Sequence, residues 1–328
     1  MRDFDRRTTS TTESATLTGL DRLRADEAPR IAAAIDAIVS PLPLKIQVQT
    51  FTRCNVACAM CPYPDVAGVD DFPHRYLEES LFRRVLDQLE GAPVERLSPF
   101  LMNEPLLDRR LESFLGLARR ALPSTTLGLF TNGSALTAQR AVSLAEAGLD
   151  ELCVSVHGFD AKTYESVMVG LSFDRVMKQL RDVVMLFEAG ALGPMRLQII
   201  TGDAPDLTGD PKAAPDWLAP HVLLKGFSNE RVVSEINEAT PMDAPRSAQS
   251  RPLCQRPFVK LYILADGDCV MCNCDWRRRV VLGNLARTSL TEIWQGEAYR
   301  ALRLEHVQRS FPAEHPCHAC DYPWVVDE

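Results

Sequence analysis

The stretch that decides the fold of this chain is Cys54-Asn-Val-Ala-Cys58-Ala-Met-Cys61, in which three cysteines are separated by three and then by two residues. It follows residues 45–50, which alternate apolar and polar side chains as a half-buried strand does. A loop with this spacing can bring three thiolates to three irons of a cubane [4Fe–4S] cluster and leave the fourth iron without a protein ligand. Zinc is the alternative, but it prefers four tetrahedral ligands, commonly in two close pairs, so a triplet fits it poorly. The stretch therefore predicts an iron–sulfur cluster with one open corner.

Outward from this stretch, strand-like and helix-like segments alternate, which predicts an α/β fold of parallel strands joined by crossover helices. The predicted strands are 45–50, 96–102, 126–131, 151–156 and 196–201, with 221–227 as a candidate sixth strand. The predicted helices between them are 77–89, 107–121, 136–147 and 173–188. In such sheets ligands bind at the carboxyl ends of the strands, where the cysteine triplet lies.

The two ends of the chain differ from this alternating middle. Residues 1–18 are rich in Ser, Thr and Arg, which predicts a mobile tail. In residues 20–39 the apolar side chains recur at helical spacing, so an N-terminal helix is expected within 19–40. The Pro- and Ser-rich stretch 239–252 predicts a boundary between a core, 41–240, and a small domain, 241–328. The small domain holds six of the ten cysteines, a hairpin signal at Asp266-Gly267 and a predicted helix over 290–304.

The composition excludes several classes of function. A formal charge of −8 and a pI near 5.4 argue against nucleic acid as a partner, because such binding depends on clustered Lys and Arg. No apolar run of about eighteen residues predicts a membrane span, and the N-terminus has no signal-peptide core, so a cytoplasmic protein is expected. In that reducing compartment the ten cysteines are better interpreted as metal ligands or reactive thiols than as disulfides.

The cysteine triplet after the first strand resembles the radical S-adenosylmethionine (AdoMet) superfamily, which implies a partial (β/α)6 TIM-like barrel. Met60 stands where that superfamily often has an aromatic residue, and its polarizable sulfur can lie against the adenine. Asn103-Glu104-Pro105 is similar to the Gly-Glu-Pro motif, whose acidic residue holds the AdoMet ammonium. The resemblance therefore implies AdoMet contacts from the following residues at the ends of strands: Asn103, Glu104, Asn132, Ser155 and His157.

The C-terminal segment resembles the SPASM and Twitch domains, which carry auxiliary clusters. After the first triplet seven cysteines remain, and Cys153 lies in the predicted fourth strand, far from this segment in the sequence. The segment therefore lacks the further cysteines that a second cluster would need, and the resemblance implies the one [4Fe–4S] cluster of a Twitch domain. Its expected ligands are Cys254, Cys272, Cys317 and Cys320. A zinc ribbon is the alternative, since Cys-x-x-Cys is also a zinc signature. Of the remaining cysteines, Cys153 and Cys269 are expected to be packing residues, and the role of Cys274 is left open.

What the resemblance implies is reductive cleavage of AdoMet, with an external one-electron reductant such as flavodoxin or ferredoxin, to give a 5′-deoxyadenosyl radical that abstracts a hydrogen atom. The leading hypothesis is oxidation of a secondary alcohol of a carbohydrate, aminocyclitol or aminoglycoside to a ketone, with the auxiliary cluster accepting the electron. The base is not identified by the sequence; the polar candidates are Arg231, Arg256 and Asp275.

Three other functions stay open. A radical epimerase would use Cys274 or Cys269 as the hydrogen donor. A peptide-modifying enzyme is less favoured, because the first forty residues resemble no peptide-binding domain. An electron carrier or binding protein would leave the open iron corner without a use.

Overall fold

Six parallel strands follow one another in the sheet in the order in which they occur in the chain. The computed structural model describes residues 28–67, 73–202, 209–225, 253–312, 315–318 and 320. The strands are Lys45–Val48 (β1), Arg96–Ser98 (β2), Thr126–Thr131 (β3), Glu151–Ser155 (β4), Arg196–Gly202 (β5), Val222–Lys225 (β6), Lys260–Ile263 (β7), Asp268–Val270 (β8) and Val281–Asn284 (β9). The parallel α/β core predicted from the alternating pattern is confirmed, including the candidate sixth strand.

The helices occupy the connections between the strands and the C-terminal segment. They are Ala28–Ile38 (α1), Tyr63–Val66 (α2), Glu79–Leu89 (α3), Leu111–Ala121 (α4), Ala138–Glu146 (α5), Ala161–Val167 (α6), Phe173–Glu188 (α7), Arg256–Val259 (α8), Leu290–Trp294 (α9) and Glu297–Gln308 (α10). Short 3₁₀ turns cover Pro105–Leu107, Pro211–Ala213 and Ala219–His221. Among the described residues, no helix combines the length and the apolar character that crossing a membrane would need.

Three predicted elements were wrong in extent. The strand predicted over 96–102 ends at Ser98, and the helix predicted over 107–121 begins at Leu111, because Pro105–Leu107 forms a 3₁₀ turn that the Glu104 carboxylate caps. The helix predicted over 290–304 is two helices that meet at Gly296, where a Cβ would lie 2.5 Å from the Glu292 carbonyl oxygen. Of the predicted N-terminal helix, 28–38 is helical; the tail 1–18, residues 20–27 and the boundary 239–252 lie outside the described residues.

The small C-terminal domain continues the same sheet, which the sequence did not predict. Strand β7 pairs in parallel with β1, from Lys45 opposite Lys260 to Val48 opposite Ile263, and β8 and β9 add antiparallel strands beyond it. The buried Gln49 side chain joins the strand ends, since its Nε2 donates to the Met102 carbonyl at 3.1 Å and its Oε1 accepts from Ala265 N–H at 3.3 Å. The two cysteine-bearing segments are therefore attached to adjacent strands.

At the opposite, amino edge of the sheet a small ionic network joins three strands. The carboxylate of Glu151, the first residue of β4, pairs with Arg96 at the start of β2 and with Arg196 at the start of β5. Gly128 gives the Arg96 guanidinium room, because a Cβ at that position would overlap it. Burial raises the pKa of Glu151, but the charges and hydrogen bonds of the two arginines outweigh it and leave the pKa below its ordinary value.

Replacing Glu151 by glutamine is expected to lower the free energy of unfolding by about 2 kcal/mol at neutral pH, because both guanidinium groups lose a charged partner. A carboxylate with a depressed folded-state pKa contributes stability above its unfolded pKa and loses it as the pH falls through the folded pKa. The difference from the parent should therefore shrink below about pH 4. Urea unfolding of cluster-free protein measures it, with the exposed Glu146→Gln as control; a difference that does not depend on pH would contradict the assignment.

Candidate iron–sulfur and AdoMet site

The loop that carries the cysteine triplet lies at the carboxyl edge of the sheet and is held by the last residue of α6 and the segment after it. The N–H groups of Ala57 and Ala59 donate to the carbonyls of Val169 and Val167, each at 2.9 Å. Cys61 N–H donates to the Cys58 carbonyl at 3.0 Å, which turns the end of the loop back on itself. These backbone bonds fix the loop without using its cysteine side chains.

The three thiols of this loop are half-buried. Burial raises the pKa of Cys54 to about 11 and that of Cys58 to about 12, and the negative charge of Cys54 adds to the shift of Cys58. The charges of Cys54 and Cys61 both act on the Tyr63 hydroxyl, which lies beside them. Thiols in this state hold their protons until a cation replaces them, which couples metal binding to proton release.

No group of three or more His, Cys, Asp or Glu side chains in the described ranges has the spacing of ligands around a single metal ion. Thiolates bound to different irons of a cubane stand further apart than ligands on one ion. The donor set of the loop, three cysteines and no histidine or carboxylate between them, fits such a cluster.

Glu104 is the buried carboxylate of this edge. It is 2% exposed; its Oε1 accepts from Thr131 Oγ1 at 2.6 Å and from Leu106 N–H at 3.0 Å, and its Oε2 accepts from Asn132 N–H at 2.7 Å. Burial outweighs these three donors and raises the pKa of Glu104 to about 7. A carboxylate so poorly solvated favours a cation placed against it, and an ammonium group is such a cation.

Asn132 connects the third strand to the cysteine loop. Its Nδ2 donates to Asn55 Oδ1 at 3.0 Å, and its amide also donates a hydrogen bond to the Cys54 sulfur. Asn55 in turn donates from Nδ2 to Ser134 Oγ at 3.0 Å. The structure therefore brings together Cys54, Glu104 and Asn132, as the sequence predicts, and adds Asn55 and Ser134, which sequence reasoning missed.

The other residues expected near AdoMet lie at the same edge but less closely joined. Met60 is a half-buried residue of the cysteine loop, and Ser155 is the last residue of β4. His157 follows two residues later, and burial lowers its pKa to about 4, so its ring is neutral at physiological pH. The Asn103 amide turns back on its own loop, where Oδ1 accepts from Leu101 N–H at 3.0 Å. Their expected contacts with AdoMet stay predictions.

A second group of thiols forms in the C-terminal segment. Cys254 precedes α8, Cys272 follows β8, and Cys317 and Cys320 follow α10. Burial raises the pKa of Cys317 far above its ordinary value, and the charges of Cys320, Cys254 and Cys272 each raise it further. The four cysteines that the sequence predicts as a ligand set therefore act on one another as close neighbours.

Cys272 has the most polar surroundings of this second group. Its Sγ accepts from Arg256 Nη1 at 3.2 Å and from Cys274 N–H at 3.4 Å. A hydrogen bond from the Cys274 thiol and then, against the opposing effect of burial, the charge of Arg256 lower the pKa of Cys272 to about 5. The hydrogen bonds and the charge of Arg256 thus favour the thiolate form of Cys272.

The candidates for the catalytic base are engaged in this segment or lie outside the described residues. The buried Asp275 carboxylate accepts from Arg279 N–H and Val280 N–H, both at 2.9 Å, and so caps the turn after Cys274. Arg256 faces Cys272. Arg231 lies outside the described residues.

The remaining three cysteines are buried, which fits the packing role expected for Cys153 and Cys269 and leaves the role of Cys274 open. Cys153 is 2% exposed on β4, with its thiol 3.4 Å from Gln198 Oε1. Cys269 is fully buried on β8 in the main core, and burial strongly raises its pKa. Cys274 is also buried, against the sulfur of Cys272.

Comparison with known families accounts for both cysteine groups. The model of the Radical SAM superfamily matches residues 48–189, which contain the first triplet, Glu104 and Asn132. The model of the SPASM iron–sulfur cluster-binding domain matches residues 254–321, which contain the second group. The chain thus contains a Radical SAM domain followed by a SPASM domain. The [4Fe–4S] cluster and AdoMet of that superfamily and the further iron–sulfur content of a SPASM domain are therefore its cofactors, and the predicted fold class is confirmed.

Two curated enzymes illustrate how this radical SAM chain relates to others. It is 20% identical over 259 residues to the S-adenosyl-L-methionine-dependent 2-deoxy-scyllo-inosamine dehydrogenase of Niallia circulans, covering 79% of this chain and 84% of that enzyme. It is 37% identical over 138 residues to the GTP 3′,8-cyclase of Parasynechococcus marenigrum, covering 39% of this chain and 38% of the cyclase. The similarity to the dehydrogenase thus covers most of both chains, whereas that to the cyclase covers a minor part of each.

Solved structures show the same fold. The crystal structure of BtrN in complex with AdoMet and 2-DOIA covers 81% of this chain and 88% of its own, with a TM-score of 0.55 and 19% identity. The match to Streptococcus suis SuiB bound to its precursor peptide SuiA covers 84% of this chain and 70% of SuiB, with a TM-score of 0.53 and 14% identity. At these identities the likeness is one of fold alone.

Replacing Glu104 by glutamine is expected to weaken AdoMet binding about 10- to 100-fold, because the substitution removes the charge of a buried hydrogen bond to an ammonium. Equilibrium dialysis of AdoMet against the anaerobic holoenzyme measures this. Glu112→Gln is the matched control. Glu112 lies on α4, and its carboxylate pairs with Arg140 of α5 at 2.6 Å, so the same substitution there also removes a paired charge. Unchanged binding in Glu104→Gln would show that the ammonium is held elsewhere.

Proposed function

We propose that this chain is a radical SAM dehydrogenase that oxidises a secondary alcohol of a carbohydrate, aminocyclitol or aminoglycoside to a ketone. Cys54, Cys58 and Cys61 would hold the first [4Fe–4S] cluster, and Glu104 with Asn132, Asn103, Ser155, His157 and Met60 would surround AdoMet. Cys254, Cys272, Cys317 and Cys320 would hold one second cluster. When bound, the first cluster and AdoMet supply a 5′-deoxyadenosyl radical, and the second cluster supplies an electron acceptor.

The observation that carries the proposal is the mutual proximity of four thiols in the C-terminal segment. A cubane with a cysteine on every iron has no position for substrate and can only transfer electrons. Dehydrogenation of an alcohol needs such an acceptor: the carbon loses a hydrogen atom to the adenosyl group, the hydroxyl loses a proton, and one electron leaves for the acceptor. AdoMet cleavage consumes a separate electron, for which an external reductant such as flavodoxin or ferredoxin is proposed.

The protein's own contribution is placement. The bonds from Ala57 and Ala59 to the end of α6 and the segment after it fix the first loop, and Gln49 joins its strand to β7 of the second domain. Both cysteine groups therefore follow strands of one sheet, which keeps the abstraction site and the acceptor at a constant separation. The match to the inosamine dehydrogenase covers 79% of this chain and 84% of that enzyme, which supports the same substrate class.

Radical epimerisation is the main rival, and it needs a thiol that faces the substrate. Cys269 is buried in the core, and the Cys274 thiol is buried against the Cys272 sulfur. Both placements favour dehydrogenation over epimerisation. The substrate and the carbon that is attacked are to be found by experiment.

The test is anaerobic reconstitution with a strong reductant, followed by mass spectrometry of a panel of aminocyclitols and aminoglycosides. Dehydrogenation gives a product lighter by two hydrogen atoms, together with 5′-deoxyadenosine. A product of unchanged mass that takes one deuterium from heavy water, and that disappears in Cys274→Ala, would establish the epimerase. Formation of 5′-deoxyadenosine with no product from any alcohol of the panel would overturn the substrate class.

A further inference from the structure

The sulfur of Cys272 receives an unusual set of donors for one of four equivalent cluster ligands. Arg256 Nη1 donates to it at 3.2 Å and lies 4.0 Å from the Cys274 sulfur. The N–H of Cys274 donates to the same Cys272 sulfur at 3.4 Å. The Asn273 side chain is also 3.4 Å away, but it presents the acceptor Oδ1 and adds no donor.

The position of Arg256 is fixed by the fold rather than by a flexible loop. Arg256 is the first residue of α8, two residues after Cys254, and the three residues that follow it in α8 are all buried. The Arg303 guanidinium donates from Nε to the Pro257 carbonyl at 2.9 Å and so holds the start of α8 against α10. The charge of Arg256 acts on both Cys254 and Cys272.

A fixed cation and N–H donors on a thiolate ligand change the energetics of the cluster that it binds. Reduction adds one negative charge to a cluster, and a hydrogen bond or positive charge at a ligand sulfur stabilises the reduced form more than the oxidised form. The effect is large where burial keeps the local dielectric low. Since a guanidinium stays protonated in proteins, this contribution is permanent, and it also makes Arg256 unsuitable as a base.

We infer that Arg256 is a positioning residue that raises the reduction potential of the second cluster through its hydrogen bond to Cys272. The inference deepens the proposed function and rests on it for its purpose: an acceptor of higher potential takes the electron from the deprotonated substrate radical and does not return it. Arg256 thus sets the direction of electron flow without touching the substrate.

The experiment is an EPR-monitored redox titration of the full-length holoenzyme without substrate, in which the first cluster is recognised because its signal changes when AdoMet is added. Arg256→Gln is expected to reduce the equilibrium constant for reduction of the second cluster at least tenfold, which corresponds to a fall of about 59 mV for one electron. Arg256→Lys keeps the positive charge but not the planar guanidinium, so its reduction potential should lie between those of the parent and Arg256→Gln. Arg277→Gln is the matched control, because Arg277 is an exposed arginine in the loop that follows Cys272 and water screens its charge.

If the reduction potential of the second cluster is the same in Arg256→Gln as in Arg277→Gln, the inference is overturned. Loss of activity at an unchanged potential would mean that Arg256 acts on the reaction in another way. If Arg256→Gln takes up no second cluster, the potential of Arg256→Lys and the Fe–S(Cys) stretching frequencies by resonance Raman decide, since loss of a donor to a thiolate raises those frequencies. In that case, a reduction potential and Fe–S(Cys) frequencies in Arg256→Lys identical to those of the parent would overturn the inference. The titration uses no substrate, so the shift would be found even if the chain proved not to be a dehydrogenase.

Discussion

Replacing Cys58 by alanine is expected to abolish the formation of 5′-deoxyadenosine, by at least about a thousandfold relative to the parent. Each thiolate of the triplet would hold a different iron. The loss of one thiolate would therefore prevent stable binding of the cluster, and AdoMet would have no iron to bind. Cys58 lies at the centre of the triplet, with its sulfur 3.7 Å from Met168 Sδ, and the Ala57 and Ala59 backbone bonds on either side should keep the loop in place. Iron content should fall from about eight to about four atoms per chain.

Cys153→Ala is the matched control for this prediction. Cys153 is a buried cysteine of β4 whose thiol contacts Gln198, so the same substitution there removes a packing thiol rather than a ligand. It should leave iron content and AdoMet cleavage unchanged and lower the free energy of unfolding by about 1–2 kcal/mol. A Cys58→Ala protein that still cleaves AdoMet at the parent rate would refute the ligand assignment.

Replacing Cys317 by alanine is expected to separate AdoMet cleavage from substrate oxidation. The variant should lack the second cluster but keep the first, so 5′-deoxyadenosine should still form, while the ketone should not accumulate because the electron has no acceptor. The ratio of ketone to 5′-deoxyadenosine, measured in one sample by mass spectrometry, should fall from about one to below about one tenth. Cys317 lies 3.6 Å from His306 Nε2 and 3.9 Å from Met271 Sδ, both residues of the C-terminal segment.

Cys269→Ala separates the loss of a ligand from general damage to the domain. Cys269 is a fully buried cysteine of the same domain, on β8, and packs in the main core. Its replacement should leave the product ratio near the parent value. Equal uncoupling in Cys269→Ala and Cys317→Ala would indicate that the domain had simply unfolded. An unchanged ratio in Cys317→Ala with the second cluster absent would show that this cluster is not the acceptor.

Local sequence patterns predicted the parts of the fold that depend on neighbouring residues. The alternation of strands and helices follows from hydrophobic periodicity, and the first ligand loop is contiguous, so both could be predicted. Local patterns did not predict the break at Gly296 or the turn at Pro105–Leu107, because propensities continue across them while a close backbone approach and the Glu104 cap decide the geometry. Periodicity also gives no partner for a strand, which is why the pairing of β7 with β1 was not predicted.

The same limit applies to the site. The cysteines of the first loop and Glu104 could be singled out from the sequence because they lie in short contiguous motifs; their roles as ligands stay predictions. Sequence reasoning missed Asn55, which Asn132 and Ser134 hold, and the Val167–Val169 segment that fixes the cysteine loop, because these contacts join residues far apart in the chain. It also proposed Arg256 as a possible base, although the structure places its guanidinium on the Cys272 sulfur. No local signal distinguishes an arginine that serves a substrate from one that serves a cluster ligand.

The most direct measurement is the EPR spectrum of the reduced, anaerobically loaded protein before and after addition of AdoMet, with quantification of methionine and 5′-deoxyadenosine in the same sample. If three thiolates leave one iron open to bind AdoMet, one of the two cluster signals should change on addition, and both products should form in equal amounts. Zinc at the cysteine triplet in place of iron, or AdoMet recovered intact with both cluster signals unchanged, would contradict the account.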